Sequence, residues 1–584
     1  MKELKHLNRY FLKYRGRLIF GLLITIIARI FALLTPKFIG DSVDIVEKYI
    51  SGDITDLALV KSELLTNILL ILGTALLAGF FTFLMRQAII VVSRYIEFDL
   101  KNEIFQQYER LSLSFYKQNR TGDLMNRISE DVGKVRMYAG PAIMYSVTTI
   151  TLFIVVVSYM FYTAPTLTLY AVAPLPVLSI AIYKLSAAIH KRSTIVQQYL
   201  SKLTSFTQES FSGIAVIKAY GIESRTNVDF TELAKGSKDK NIDLAKVQAL
   251  FFPLMMLLIG ASNLLVIYIG GNQFIDGKID FGTIVEFLIY VNMLTWPVAV
   301  VGWVTSMVQQ AEASQKRINE FLKEEPKIQN LVSEATPISG KIEFKNLSFT
   351  YPDTQITALK NVSFTVNPGE TLFIVGNTGS GKSTILELIG RLYDVEDEQL
   401  SIDDKSIKKL NLNNLRSSIG YVPQDAFLFS DTLTNNIKFG KENATQDEVV
   451  SAAKLASVHN NILAFNKGYD TILGERGITL SGGQKQRVSI ARAVIKDPQI
   501  LLFDDCLSAV DTETEEEILQ NLHKISQNKT TVIVSHRVSS AKNADKIIAL
   551  KDGEIIQQGT HNELINADGY YKELYTKQLS EKEM

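Results

Sequence analysis

Along the first half of the chain, long apolar runs alternate with charged stretches; along the second half, short β-branched runs alternate with amphipathic ones. Runs at 18–34 and 67–85 approach the roughly 20 residues that a helix needs to cross a hydrocarbon core. Between 137 and 183 there is no charged residue, and Thr163, Ala164, Pro165 and Thr166 interrupt the run near its middle. That pattern predicts two spanning helices joined by a tight hairpin. Two further runs, 248–275 and 281–307, flank the short polar segment 276–280. Six spans are predicted.

Lysine and arginine counts beside the spans set the expected orientation, because cytoplasmic flanks carry the excess. Lys2, Lys5, Arg9, Lys13, Arg15 and Arg17 precede the first span, against Lys37, Lys48 and Lys61 in the segment after it. Both termini are therefore expected inside, and segments 94–136 and 184–246 become long cytoplasmic extensions of the spans. Both read as helical. They are the segments able to carry force between a motor and the spans.

Segment 311–322, AEASQKRINEFL, keeps a helical period until Pro326 ends it. The polar, turn-rich stretch up to Gly340 marks a boundary. The expected division is a transmembrane domain at 1–325, a linker at 326–340 and a second domain at 341–584. In that domain the strand-like runs 372–375, 500–503 and 530–534 alternate with helical patterns, the signature of a largely parallel sheet covered by helices. The fold class is thus an all-α six-helix transmembrane domain followed by an α/β P-loop domain.

Composition narrows the function classes. A chain of 584 residues is too long for one core. Its zero formal net charge gives no basic footprint for nucleic acid. Cys506 is the single cysteine, which rules out an intrachain disulfide and a cysteine-rich metal site and fits a reducing cytosol for the extramembrane bulk. The N-terminus lacks a short apolar region followed by a small-residue cleavage site, so the first run is expected to remain as an anchor.

The chemistry begins where the strand TLFIV meets Gly376. The loop GNTGSGKST, residues 376–384, matches G-x-x-x-x-G-K-[ST] between a strand and a helical run. Gly376, Asn377, Thr378, Gly379, Ser380 and Gly381 let backbone N–H groups close around phosphates at a helix N-terminus, and Thr384 continues into that helix. Lys382 neutralises β/γ charge and the Ser383 hydroxyl can ligate Mg²⁺. A second apolar strand, 500–503, runs into Asp504 and Asp505; acids at the carboxyl end of a parallel strand lie where ligands bind. Asp504 is expected to hold Mg²⁺ through water, and Asp505 stands where a carboxylate can orient attacking water. Taken alone, that acid pair could equally be a helix cap.

Between these lies Leu480-Ser481-Gly482-Gly483-Gln484, followed by KQRVSIARAVI. With it, the chain resembles the ATP-binding cassette (ABC) transporter family over essentially its whole length, motifs in the family's order. The resemblance implies that Tyr351, in SFTYPD, stacks on adenine, and that Gln424, in YVPQDAFLF, contacts Mg²⁺ or water. It also implies that Ser481, Gly482, Gly483 and Gln484 form the signature that reaches the γ-phosphate of ATP held by an opposite protomer. Ser508, Ala509, Val510 and Asp511 fill the D-loop, and His536, in VIVSHR, is the switch histidine. Six spans ahead of one cassette are similar to the family's half-size exporters, in which two chains sandwich two ATP molecules. Residues 114–132 and 209–223 resemble the two coupling-loop regions.

Active members of the family usually carry Glu where this chain has Asp505. Asp is one methylene shorter, so slow hydrolysis at this chain's own site is expected. The substitution resembles the degenerate half of a heterodimeric exporter; a homodimer with two weakened sites is the alternative, and both stay open. The implied function is ATP-driven export of an amphipathic drug, lipid or peptide across the plasma membrane by a dimer. The alternative is a regulatory or nucleotide-gated subunit whose site binds but turns over slowly. Family importers generally keep membrane and cassette parts on separate chains, and a soluble ATPase is excluded by the uncharged 137–183 stretch. Within the membrane, Arg29 and Glu286 are placed at one shared depth, read as a buried ion pair that fixes packing, with a polar patch in the substrate cavity as the functional alternative.

Overall fold

The computed structural model describes residues 2–474, 477, 480–506, 512–526 and 528–583. The chain divides into two compact units, Met1–Tyr108 with Gly122–Lys323, and Glu109–Thr121 with Glu324–Met584. Each is described in turn.

Among the described residues of the first unit, six helices are long and apolar enough to cross a membrane: Arg15–Ser51, Leu57–Arg110, Thr121–Thr163, Pro165–Ser212, Glu223–Ile275 and Phe281–Leu322. The break expected near 163–166 is there. Ala164 leaves helical geometry (φ −148°, ψ 88°) and Pro165 opens the next helix, a first-turn position where its missing N–H costs nothing. At 54 residues the second helix is ~80 Å long at 1.5 Å per residue, far beyond the ~30 Å of a hydrocarbon core, so the spans do continue as helical extensions.

Polar contacts and close approaches hold the bundle at named points. A Cβ on Gly282 would lie 2.1 Å from the Gly40 carbonyl oxygen, and Gly282 N–H donates to Asp44 Oδ1 at 2.5 Å, so glycine lets the first and sixth helices touch there. Buried Asp131 accepts from the Ser314 hydroxyl at 2.8 Å and Arg317 Nε at 2.9 Å, tying the third helix to the sixth. The expected Arg29–Glu286 pair is not formed. Tyr290 Oη lies 2.7 Å from Glu286 Oε1 and 3.0 Å from the Leu33 carbonyl, and Arg29 Nε is buried with no hydrogen-bond partner among the described residues. Glu286 is thus level with Leu33, a full helical turn along from Arg29.

In the second unit a six-stranded sheet has the order β10-β9-β3-β8-β7-β6. Its members are β3 (Thr371–Gly376), β6 (Ile419–Val422), β7 (Ile500–Asp504), β8 (Thr530–Val534), β9 (Lys546–Lys551) and β10 (Glu554–Gly559). β9, β3, β8, β7 and β6 run parallel, and β10 turns back antiparallel at the edge. Side-chain alternation shows why the sheet is buried on both faces. Phe373, Val375, Leu501, Phe503 and Ile533 enter one core, while Leu372, Ile374, Ile500, Leu502 and Val532 enter the other. An antiparallel sheet of β1 (Ile342–Thr350), β2 (Thr357–Val366), β4 (Leu400–Ile402) and β5 (Lys405–Ser406) lies in the second core.

Two segments differ from the sequence-based division. Glu109–Thr121 groups with the second unit, where Leu113 packs against its hydrophobic core. The stretch 326–340 is a strap rather than a free linker. Asp403 accepts from the N–H groups of Ser339, Gly340 and Lys341 at 2.7–3.1 Å, Asn411 donates to the Val332 carbonyl, and Ile338 is buried.

Candidate functional site

β3 delivers the chain into the loop 376–381, and the helix Lys382–Ile389 leaves it. Gly381, at φ 99°, is the N-cap, and a Cβ there would sit 2.3 Å from the Ala358 carbonyl oxygen. Only glycine meets both demands. Lys382 is buried, and its ammonium donates to the Gly376 and Asn377 carbonyls, each at 2.8 Å, bracing the loop from inside. Burial pushes its pKa down to about 8, against the raising pull of Asp505 and Asp504. A polyanion would restore the charge that burial disfavours.

The end of β7, separated from β3 by β8, brings the acids to the loop. The Ser383 hydroxyl donates to Asp504 Oδ1 at 2.8 Å, and burial holds the Asp504 carboxyl above its ordinary range. Asp505 follows at φ 42°, its N–H donating to the Val534 carbonyl at 2.8 Å. Its Oδ1 accepts from the His536 N–H at 3.4 Å, and Oδ2 lies 3.9 Å from His536 Nε2. Cys506 is buried and its thiol is pushed up by burial and by the neighbouring acids, which makes it inert.

Tyr351 is fixed from the side of the phosphate loop. Its hydroxyl lies 2.9 Å from Thr384 Oγ1 and donates to Glu387 Oε2 at 2.8 Å, while Phe349 and Tyr393 meet its ring edge-on at 5.1 and 5.3 Å. One cavity of about 420 Å³ gathers Tyr351, Thr378, Gly379, Gly381, Lys382, Ser383, Thr384, Gln424, Asp504, Asp505 and His536. Ser383, Asp504 and Gln424 offer hard oxygen donors, a set that fits Mg²⁺ completed by phosphate and water.

The signature residues are elsewhere. Ser481 caps the helix Gly482–Val494 through a capping box in which its hydroxyl accepts from Gln484 N–H at 3.3 Å and its own N–H donates to Gln484 Oε1 at 3.0 Å. The serine and glutamine of the motif are thus a helix-capping pair that presents an exposed N-terminal tip, and none of the four residues lines the phosphate cavity. Leu507 to Asp511, with the D-loop residues Ser508, Ala509, Val510 and Asp511, lie outside the described residues.

Three contributors went unread in the sequence. Glu387 anchors Tyr351, Lys117 lines the same cavity, and Gln578 brackets the switch loop by donating to the His536 carbonyl at 2.5 Å and accepting from Val538 N–H at 2.8 Å. The capping box alone had a readable signal, serine followed three residues later by glutamine. In the first unit a cavity of about 830 Å³ is lined by Phe153, Tyr183, Ser186, His190, Trp303 and Ser306 among others, and among the described residues no Asp, Glu, Lys or Arg borders it.

Comparison with known proteins agrees with this geometry. Residues 18–298 match the family described as ABC transporter transmembrane region, and residues 359–508 the family described as ABC transporter. The chain is 36% identical over 583 residues to the multidrug resistance-like ATP-binding protein MdlA of Escherichia coli (strain K12), covering 100% of this chain and 97% of that one. It is 35% identical over 499 residues to an ATP-dependent lipid A-core flippase of Syntrophus aciditrophicus (strain SB), covering 85% of this chain and 83% of the relative. Its fold superposes on a bacterial Atm1-family ABC exporter solved with ATP bound, with a TM-score of 0.78, 27% identity and coverage of 97% and 98%. Six apolar helices, a phosphate loop backed by a strand-end acid, and full-length similarity to exporters converge on one assignment: this chain is a half-size exporter of the ABC transporter family, a multi-pass membrane protein that couples ATP hydrolysis to transport.

Proposed function

We propose that two halves pair so that each phosphate loop is closed by the other's signature tip, and that this closure drives export of an amphipathic substrate. The carrying observation is that the helix tip Ser481–Gln484, with Ser481 and Gly482 exposed, contributes no residue to the cavity around Lys382. Within one protomer no signature residue borders the phosphates, so the site is completed from outside. Tyr351 stacks on adenine, the 376–384 loop and Lys382 hold the phosphates, and Ser383, Asp504 and Gln424 would hold Mg²⁺. That ion, when bound, neutralises charge at the β- and γ-phosphates. Asp505 orients the attacking water and His536 senses the γ-phosphate. The cassette and both termini face the cytoplasm, as the basic N-terminal flank supports.

The substrate cavity is largely apolar and aromatic, with hydroxyls, the His190 imidazole, the Gln309 amide and, among the described residues, no Asp, Glu, Lys or Arg. This lining favours a neutral or weakly basic amphipath, because a fully charged group would enter unpaired. Asp505, one methylene short and held beside the His536 N–H, makes hydrolysis at this chain's own site slow. The same feature favours a second reading, in which the site binds and gates while a partner's site turns over. Transport retained in Asp505→Asn with an intact partner would establish it.

Pairing is tested by introducing Thr378→Cys and Ser481→Cys together in a Cys506→Ala background. With a bifunctional thiol reagent, an ATP-dependent crosslinked dimer is the expected result, formed by this chain alone if it pairs with itself and, if it does not, only with a co-expressed different half that carries cysteines at its own corresponding phosphate-loop and signature positions. No ATP-dependent crosslink in either setting overturns the reading.

A further inference from the structure

The short helix Leu113–Gln118 belongs to the same compact unit as the cassette, although its chain continues at both ends into membrane helices. Near its C-terminus, Lys117 reaches the nucleotide cavity. Its ammonium is 3.5 Å from Glu387 Oε1 and 5.1 Å from the ring centroids of both Tyr351 and Tyr393. Glu387 also accepts from the Tyr351 hydroxyl, so one carboxylate ties the lysine and the tyrosine together. A cation within about 6 Å of a ring centroid is attracted to the ring, and an adenine base stacking on Tyr351 from the cavity that Lys117 also lines uses the same ring. The two ligands of that ring come from opposite partners, one from the nucleotide and one from the loop between the second and third membrane helices.

We propose that Lys117 is a base-sensing residue: a purine arriving on Tyr351 contends with the Lys117 ammonium for the ring, so the first cytoplasmic loop registers that a nucleotide, rather than bare phosphate, has bound. This rests on Tyr351 being the adenine platform. It predicts a distinction between ligands with and without a base. Attraction between Lys117 and phosphate is common to ATP and inorganic tripolyphosphate and cancels in the ratio of their affinities; competition for the ring acts on ATP alone.

The test uses the full chain with its partner half in lipid nanodiscs. ATP and tripolyphosphate affinities are measured for the unmodified protein and for Lys117→Met, Lys117→Arg and Tyr351→Ala. Lys117→Met keeps the aliphatic stem and removes the charge, and should raise the ATP-to-tripolyphosphate affinity ratio about three- to fivefold. Lys117→Arg, which keeps a cation on the ring, should leave the ratio near that of the unmodified protein and also controls for folding. Tyr351→Ala should collapse the ratio. If Lys117→Met leaves the ratio unchanged while Tyr351→Ala lowers it, the sensing role fails and the adenine platform stands. If Tyr351→Ala changes nothing, the platform itself is misassigned and the sensing role falls with it.

Discussion

β7 and the second membrane helix each carry a continuous apolar run, but they spend their side chains differently. All five residues of Ile500–Asp504 are buried, whereas Leu57–Arg110 leaves Leu69, Leu76 and Phe83 61, 75 and 57% exposed. In the cassette, apolar residues build a rigid frame whose strand ends and loops hold a few polar groups in fixed places. In the membrane unit, much of the apolar surface meets lipid, which is as apolar as the side chains and asks for nothing specific. Chemistry is therefore concentrated in the first and diffuse in the second. Perturbations should show large, residue-specific effects in the cassette and small, graded ones in the bundle.

The largest effect is expected at Lys382. Its ammonium braces two loop carbonyls and lines the cavity beside Ser383 and Asp504, so Lys382→Ala should lower ATP turnover by ~10²–10³-fold, the usual cost of removing one preorganised charge-stabilising group. It should also abolish the rise in melting temperature that saturating ATP confers. A variant that keeps both would break the claim that chemistry is concentrated here. Next comes Asp505→Glu. Restoring one methylene corrects a displacement on the order of 1 Å, a misplacement that can cost ~10²-fold, so turnover should rise by up to ~10²-fold in single-turnover assays of this chain's site. No gain would show that another group positions the water.

A pH series sharpens the same comparison. Burial sets the Lys382 pKa near 8, and a bound polyphosphate raises it, so binding takes up a proton above pH 8. ATP affinity should be flat below that point and then fall as pH rises, by at most about tenfold per unit, until the pKa of the bound state is reached. Lys382→Arg, whose guanidinium stays charged throughout, should flatten the profile between pH 8 and 9.5. Isothermal titration across that window measures both.

How much was legible follows the same division. The phosphate loop, Asp504, Asp505, the signature and the two-part architecture could be read because their chemistry demands particular residue types at short fixed spacings. The hairpin at Pro165 was readable from its dihedral restriction. Pairings across long separations left no period to read. Glu387 meets Tyr351 from 36 residues away and Lys117 from far earlier in the chain, and Gln578 grips the switch loop from 42. The strap at 326–340 looked like a linker because the groups that bind the Asp403 carboxylate are backbone N–H groups, which leave no mark in the side-chain pattern. The Arg29–Glu286 pairing failed for a geometric reason. Counting residues places a group along a helix to within about a turn, and a turn is 5.4 Å, more than the reach of an ion pair.

That failed pairing gives the smallest effect and the sharpest test in the membrane unit. Were Arg29 and Glu286 partners, removing Arg29 would strand a buried carboxylate and cost several kcal/mol, of order 3–5. With Tyr290 as the neighbour of Glu286 and of the Leu33 carbonyl, the bundle depends on the phenol instead. Tyr290→Phe should then destabilise the unit by about 1 kcal/mol, the usual size of a hydrogen bond between membrane helices, while Arg29→Met should cost less than ~0.5 kcal/mol. Melting of both variants in one lipid composition separates the two pictures. A larger loss from Arg29→Met than from Tyr290→Phe would mean that the arginine has a structural partner and that the bundle, like the cassette, keeps its polar groups for particular contacts.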